Sequence, residues 1–147
     1  MATAEDAKLI LQLYEMRREE VMRKARSFMT GPEFMPTSAD EIKTMVMSEP
    51  EKSAWYRQAT SYWDMAAALV NHGTIDANLF FDTNGEFLAV WAKIGDFVPE
   101  LREGVFGQHY LKNLESLVNA HPNGAARVAI MKVRFKKMAE MRAAQKS

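Results

Sequence analysis

Six side chains near the middle of the chain have the types that suit ligand binding or proton transfer. They are Tyr62, Trp63, Asp64, His72, Asp76 and His109. Aromatic rings can line a pocket for a small molecule, and a carboxylate or an imidazole can orient that molecule or exchange protons with it. We take these six as candidate ligand-binding residues around an apolar pocket between helices, with Tyr62 or Asp64 at its mouth. For Asp64 we favour a structural ion pair with Arg17 or Arg18 over catalysis, because buried charges are usually paired.

An acid–base or metal site would have to join His72 and Asp76 to Asp82, Glu86 and His109. His72 and Asp76 are four residues apart, but a predicted helix end lies between them. The chain has no cysteine, no glycine-rich phosphate loop, no Gly-x-Ser-x-Gly elbow and no His-Glu-x-x-His pair. We therefore predict no catalytic residue, no metal site and no cofactor, and we favour a non-enzymatic protein.

The second candidate site is a basic patch formed by Lys132, Arg134, Lys136 and Lys137. Residues 124–147 carry seven basic and one acidic side chain, whereas residues 31–123 carry six basic and thirteen acidic ones. A basic amphipathic helix can pack on the acidic body of its own chain or of a second copy, form a solvated face, or bind an anionic surface. Nucleic acid is disfavoured as the partner, because the patch is short and Phe135 is its only aromatic residue.

The elements that position these residues show helical spacing almost everywhere. Apolar residues at three- and four-residue steps predict one long helix from about residue 4 to residue 30, which Gly31-Pro32 ends. Thr3 and Asp6 have the spacing of a capping pair. A helix of this length can extend beyond the bundle or pair with a second copy.

Further capping patterns predict where the following helices begin. Ser38 with Glu41 opens a short helix that ends near Met47, and Ser48 with Glu51 opens a helix that ends near Asn71, before Gly73. This helix carries two adjacent apolar stripes and is our candidate for the central helix. Asp76 is expected to cap a short turn, and Thr83 with Glu86 to open the next helix.

The rest of the chain predicts three more helical segments. One continues from residue 87 to about 101 with a kink or restart at Pro99, one surrounds Leu114, and the last runs from about 125 to 144. No segment of five or more residues alternates convincingly, so no strand is predicted. We expect an all-α fold, an antiparallel bundle of five to six helices, in a single domain over residues 1–147 with frayed ends at 1–3 and 145–147.

Composition limits the class of protein. The 147 residues are 48% hydrophobic and 26% charged, with 19 basic and 19 acidic side chains. These globular values exclude a disordered chain, a collagen-like repeat and a disulfide miniprotein. No apolar run approaches the ~20 residues that span a bilayer, so we expect a cytoplasmic protein.

Several short motifs resemble a family of small, uncharacterised bacterial helical proteins: Tyr62-Trp63-Asp64, Asn71-His72-Gly73, Phe80-Phe81-Asp82, Trp91, Leu13-Tyr14-Glu15 and Arg17-Arg18. The resemblance covers most of the chain. It implies a bacterial origin and a domain of unknown function, and it transfers no site residue.

Three functions stay open from the sequence. The first is a protein-interaction or scaffold domain that acts as a homodimer. The second is a small-molecule-binding protein or an enzyme that uses the aromatic pocket. The third is binding to an anionic surface through the basic C-terminal helix.

Overall fold

The computed structural model describes residues 1–146, and their regular structure is helical. In chain order the helices are α1 (Ala4–Arg17), α2 (Glu20–Thr30), α3 (Ala39–Ser48), α4 (Pro50–Asn71), α5 (Ala77–Thr83), α6 (Glu86–Ile94), α7 (Val98–Glu103), α8 (Lys112–Ala120) and α9 (Gly124–Lys146). A 3₁₀ turn, Gly95–Phe97, joins α6 to α7. No strand occurs within residues 1–146, which confirms the prediction of an all-α fold without a sheet.

The two ends of the chain differ in structure. Residues 1–3 precede α1, and Thr3 forms the predicted capping pair with Asp6. At the other end α9 extends to Lys146, and Ser147 lies outside the described residues, so the fraying of residues 145–147 stays a prediction. None of the helices between residues 1 and 146 combines the length and the apolar character needed to cross a bilayer.

The predicted long first helix is two helices in the structure. α1 ends at Arg17, and the carboxylate of Glu19 starts α2 by accepting a hydrogen bond from the Met22 N–H at 2.9 Å. The Arg26 guanidinium of α2 donates to the Arg17 carbonyl at 3.2 Å and so fixes the bend. The prediction of one helix over residues 4–30 is therefore wrong, and the support that it lent to self-association is lost.

Helix α4 is the central helix, as predicted. It packs against α2 on one side, α8 on another and α3 near its N-terminus. Both predicted stripes are largely buried, and their buried members are Tyr56, Ala59, Tyr62, Trp63, Ala66, Ala67 and Val70. The alanines have no long side chain to hold neighbours apart, so the flanking helices approach α4 closely.

Helices α6 and α7 meet at a tight turn. A Cβ on Gly95 would lie 2.6 Å from the indole nitrogen of Trp91, so glycine leaves the room that this ring occupies. Pro99 lies in the first turn of α7, where its missing N–H costs no helix hydrogen bond. The half-buried pair of Arg26 and Glu86, joined by two hydrogen bonds of 2.7 and 3.0 Å, fastens α6 to α2.

The buried Arg102 holds the connection between α7 and α8. Its Nε donates to the Tyr110 carbonyl at 2.7 Å, and its Nη1 donates to Glu115 at 3.2 Å. The Tyr110 hydroxyl lies 2.7 Å from the hydroxyl of Tyr56 in the central helix. Burial raises the pKa of Tyr110 to about 12, so both phenols are neutral at ordinary pH.

Candidate functional site

An open groove of about 750 Å³ lies between α2, the connection that follows it, the start of α4 and the end of α9. Phe28 and Trp55 form its floor, with their ring centroids 5.6 Å apart. Phe34 packs behind Phe28 at 4.9 Å, so the floor rests on the core. Trp55 is half-buried and presents apolar ring surface to the groove.

Lys93 fixes the connection that forms one wall of this groove. The side chain is 4% exposed, and its Nζ donates to the carbonyls of Gly31 and Phe34 at 2.6 and 2.5 Å. No carboxylate among residues 1–146 pairs with this ammonium. Burial lowers the pKa of Lys93 to about 8. The sequence signal for this residue is a single charge inside the apolar run of α6, and no motif distinguishes it from a solvated lysine.

Helix α9 forms the opposite wall. The Phe135 ring lies over Lys93, with Nζ 4.3 Å from the ring centroid, which is a cation–π contact. Lys132 pairs with Asp96 at 2.8 Å. Farther along α9, Arg142 lines the groove. The contacts of Lys132 and Phe135 therefore hold α9 against the body, with Arg142 on the same side of the helix.

Tyr62 and Trp63 lie in the core rather than at the mouth of a pocket. The Tyr62 hydroxyl donates to the Leu13 carbonyl at 2.6 Å, and burial raises the pKa of Tyr62 to about 12. Trp63 is 1% exposed, and its indole N–H has no partner among residues 1–146. The Arg17 guanidinium lies 5.8 Å from the Trp63 ring centroid. The groove instead opens two turns earlier along α4, at Trp55.

Asp64 caps another helix. Its Oδ1 accepts a hydrogen bond from the Leu114 N–H of α8 at 2.9 Å, and its Oδ2 accepts from the Asn113 side chain at 3.4 Å. Helix α8 has no capping side chain of its own, because Leu111 stands at its N-cap. A carboxylate at a helix N-terminus is stabilised by the free N–H groups and by the helix dipole. The predicted ion pair of Asp64 with an arginine is therefore replaced by a contact with α8.

His72, Asp76 and His109 serve separate parts of the fold. His72 is the exposed C-cap of α4, and Asp76 caps α5 by accepting from the Leu79 N–H at 2.9 Å. His109 is exposed in the turn before α8. Across residues 1–146, no group of three or more histidine or acidic side chains can hold a metal ion.

The basic patch divides into one paired and three unpaired residues. Lys132 pairs with Asp96, whereas Arg134, Lys136 and Lys137 are exposed and form no ion pair within the described part of the chain. The apolar residues Ile130, Val133 and Met141 lie among them and are 52%, 55% and 64% exposed. Helix α9 thus has an inner side that packs on α6 and α8 and an outer side that mixes apolar and cationic groups.

One family matches the chain over residues 2–121 and is described as a domain of unknown function, DUF4760. The chain belongs to the DUF4760 family. The match includes α1 to α8 and ends just before α9, so the family region supplies Trp55 and Lys93 but not Phe135 or Arg142. No curated protein and no solved structure is similar enough to the chain to count as a match.

Proposed function

We propose that this member of the DUF4760 family is a non-enzymatic protein-interaction module that assembles as a homodimer through α9. The observation that carries the proposal is the outer face of α9, which we define as Ile130, Val133, Arg134, Lys137 and Met141. Its three apolar members are more than half exposed, although Val128 and Met131 pack on the core and Phe135 contacts Lys93 from the same helix. Apolar residues at helical spacing on an exposed face, with cations between them, are typical of a docking surface.

Charge separation within the chain supports a second copy as the occupant. Residues 1–123 carry twelve basic and eighteen acidic side chains, net −6, and residues 124–147 carry net +6. Two α9 helices would repel each other, whereas α9 of one copy attracts the body of another. The contact that we propose therefore joins the outer face of α9 to an acidic surface of the partner copy.

The α3–α7 surface, which we define as Asp40, Met47, Glu103 and Val105, has the complementary chemistry. Met47 and Val105 are 75% and 71% exposed and border the same small crevice. Asp40 lies two turns before Met47 on the same side of α3, and Glu103 is near Val105 in the chain. Neither carboxylate forms an ion pair with another residue of the described range. Two exposed apolar groups and two carboxylates without ion pairs therefore match the outer face of α9, and Lys43 is the one cation within residues 1–146 that borders this crevice.

Size-exclusion chromatography with light scattering tests this assembly at low and high salt. We expect a dimer, and we expect Val133→Asp to give a monomer because it places a charge in the apolar part of the contact. Leu11→Asp is the matched control, because Leu11 is also exposed but lies on α1. A monomeric wild-type chain at high micromolar concentration would refute the proposal. Loss of the dimer in Leu11→Asp alone would assign the contact to α1.

A charge exchange tests the choice of surfaces. Arg134→Glu with Lys137→Glu makes both contact surfaces acidic, and Asp40→Lys with Glu103→Lys makes both basic. We expect each double variant to be monomeric, and we expect an equimolar mixture to form a mixed dimer because opposite charges then meet at both contacts. If the mixture stays monomeric while each variant keeps its helical circular dichroism, the pairing of these surfaces is refuted.

Vesicles separate this proposal from binding to an anionic membrane. A dimer through α9 covers the outer face, so we expect no sedimentation with phosphatidylserine vesicles at physiological salt. A monomeric chain that sediments with these vesicles, and that loses this binding in Arg134→Glu with Lys137→Glu, would replace the homodimer with membrane binding. Bacterial origin and a cytoplasmic location stay predictions from the sequence.

A further inference from the structure

We propose that the groove between α2 and α9 is a binding site for a small organic anion with a flat apolar ring, such as an aromatic carboxylate. The groove, of about 750 Å³, falls within the range of roughly 300–1,000 Å³ that is typical of ligand sites. Its residues do not belong to the outer face of α9 or to the α3–α7 surface. The inference is therefore independent of the homodimer.

The aromatic floor of the groove is the reason to expect a ligand with a flat apolar ring. Phe28 is fixed between Phe34 and Trp55, with centroid distances of 4.9 and 5.6 Å. Trp55 is thus held against a rigid neighbour while part of its indole borders the groove. A planar ring can pack on this indole surface in an offset-stacked or edge-to-face arrangement and remove apolar area from water.

The charged side chains around the groove are the reason to expect an anionic ligand. Six charged side chains line it, and four of them are accounted for by their surroundings. Lys24 pairs with Glu20 at 3.8 Å, and Glu33 pairs with Lys52 at 3.5 Å. Glu51 lies in the first turn of α4, where the helix dipole stabilises a carboxylate.

Two arginines remain without an ion-pair partner. Arg23 of α2 and Arg142 of α9 both line the groove, and neither forms an ion pair with any residue of the described range. Glu19, the carboxylate that interacts with Arg23 through space, accepts a hydrogen bond from the Met22 N–H. Guanidinium groups bind carboxylates in a planar geometry with two parallel hydrogen bonds. A bound carboxylate would thus satisfy cations that the protein itself leaves unpaired.

The walls of the groove are fixed before any ligand binds. Lys93 holds the connection at Gly31 and Phe34, and the contact of Phe135 with Lys93 holds α9 against this connection. A preformed site loses less conformational freedom on binding than a flexible one, which favours measurable affinity for a small ligand. Arg142 lies seven residues beyond Phe135, two turns along the same side of α9.

Titration calorimetry with three probes on the full chain tests the proposal. The probes are 1-naphthoate, 1-naphthylmethylammonium with the same ring and the opposite charge, and acetate without the ring. We expect naphthoate to bind at least tenfold more tightly than either of the others. Arg142→Gln and Trp55→Leu should each weaken naphthoate binding at least tenfold. Arg134→Gln, on the outer face of α9, and Trp91→Phe, in α6 and away from the groove, are matched controls that should bind like the wild type.

Several outcomes would overturn the proposal. Equal binding of naphthoate and of the ammonium probe would remove the role of the arginines. Unchanged naphthoate binding in Arg142→Gln would place the ligand elsewhere. The absence of heat with any probe at millimolar concentration would exclude a small aromatic anion. Equally tight binding of a peptide amide that carries an aromatic side chain but no carboxylate would assign the groove to a protein segment.

Discussion

The buried ammonium of Lys93 makes the stability of this protein rise with alkaline pH. Burial lowers the pKa of Lys93 to about 8 in the folded state, whereas an unfolded lysine titrates near 10.4. Between these values the unfolded chain binds one proton that the folded chain does not. The free energy of unfolding therefore increases as pH rises from about 8 to about 10, and below pH 8 the folded state bears the full cost of the buried charge.

The lowered pKa of Lys93 and the groups around its ammonium set the size of this pH effect. The lowered pKa corresponds to at most about 3 kcal/mol between the neutral and the charged lysine. The carbonyls of Gly31 and Phe34 and the Phe135 ring stabilise the ammonium and so offset part of this difference. We expect the free energy of unfolding to rise by about 1–2 kcal/mol between pH 7 and pH 9.5. Above pH 10 the buried Tyr62 and Tyr110 act in the opposite direction, because the pKa of each is raised to about 12.

Urea unfolding of the wild type, Lys93→Met and Lys112→Met at both pH values measures this effect. Lys93→Met should lose the rise between pH 7 and pH 9.5, whatever its absolute stability, because methionine does not titrate. Lys112→Met removes an exposed lysine and should keep the rise. If the wild type and Lys93→Met show the same pH dependence, the ammonium is stabilised in the folded protein as well as it is in water, and our interpretation of its burial is refuted.

Two further substitutions test the packing that surrounds the site. Asp64→Ala should lower the free energy of unfolding by about 1–2 kcal/mol, because α8 loses its only capping side chain. Asp82→Ala, on the exposed side of α5, is the control and should change the free energy of unfolding by less than about 0.5 kcal/mol. Gly124→Ala should cost about 2 kcal/mol or more in urea unfolding, because its Cβ would overlap a backbone carbonyl of α8. In Gly85→Ala the new Cβ meets only the end of a flexible side chain, so the loss in free energy of unfolding should be smaller. Equal losses in the two variants would contradict the overlap that we predict at Gly124.

The sequence predicted those helix boundaries that nearby residues decide. Thr3 with Asp6 and the cap at Asp76 are local hydrogen bonds, so their spacing was sufficient. The Ser48 and Thr83 patterns failed, because both residues end the preceding helix instead of opening the next one. The break after Arg17 also escaped prediction, since its stabilising contacts include an arginine nine residues away.

The candidate site depended on contacts between distant residues. Helical spacing placed Trp55 and Trp63 on the apolar side of α4, but it does not say which of them the other helices cover. The structure buries Trp63 and leaves Trp55 at the groove. Likewise the partner of Asp64 is 50 residues away, so no local pattern distinguishes a helix cap from an ion pair or a catalytic group.

The two surfaces of α9 divide its proposed roles. Its inner side carries Phe135 and Arg142, which cover Lys93 and complete the groove, and its outer face carries the residues that we propose for assembly. Because these residues lie on opposite sides of one helix, a substitution on the outer face leaves the groove intact. Assembly and ligand binding can then affect each other only by moving the whole helix, a motion that the contact between Phe135 and Lys93 opposes.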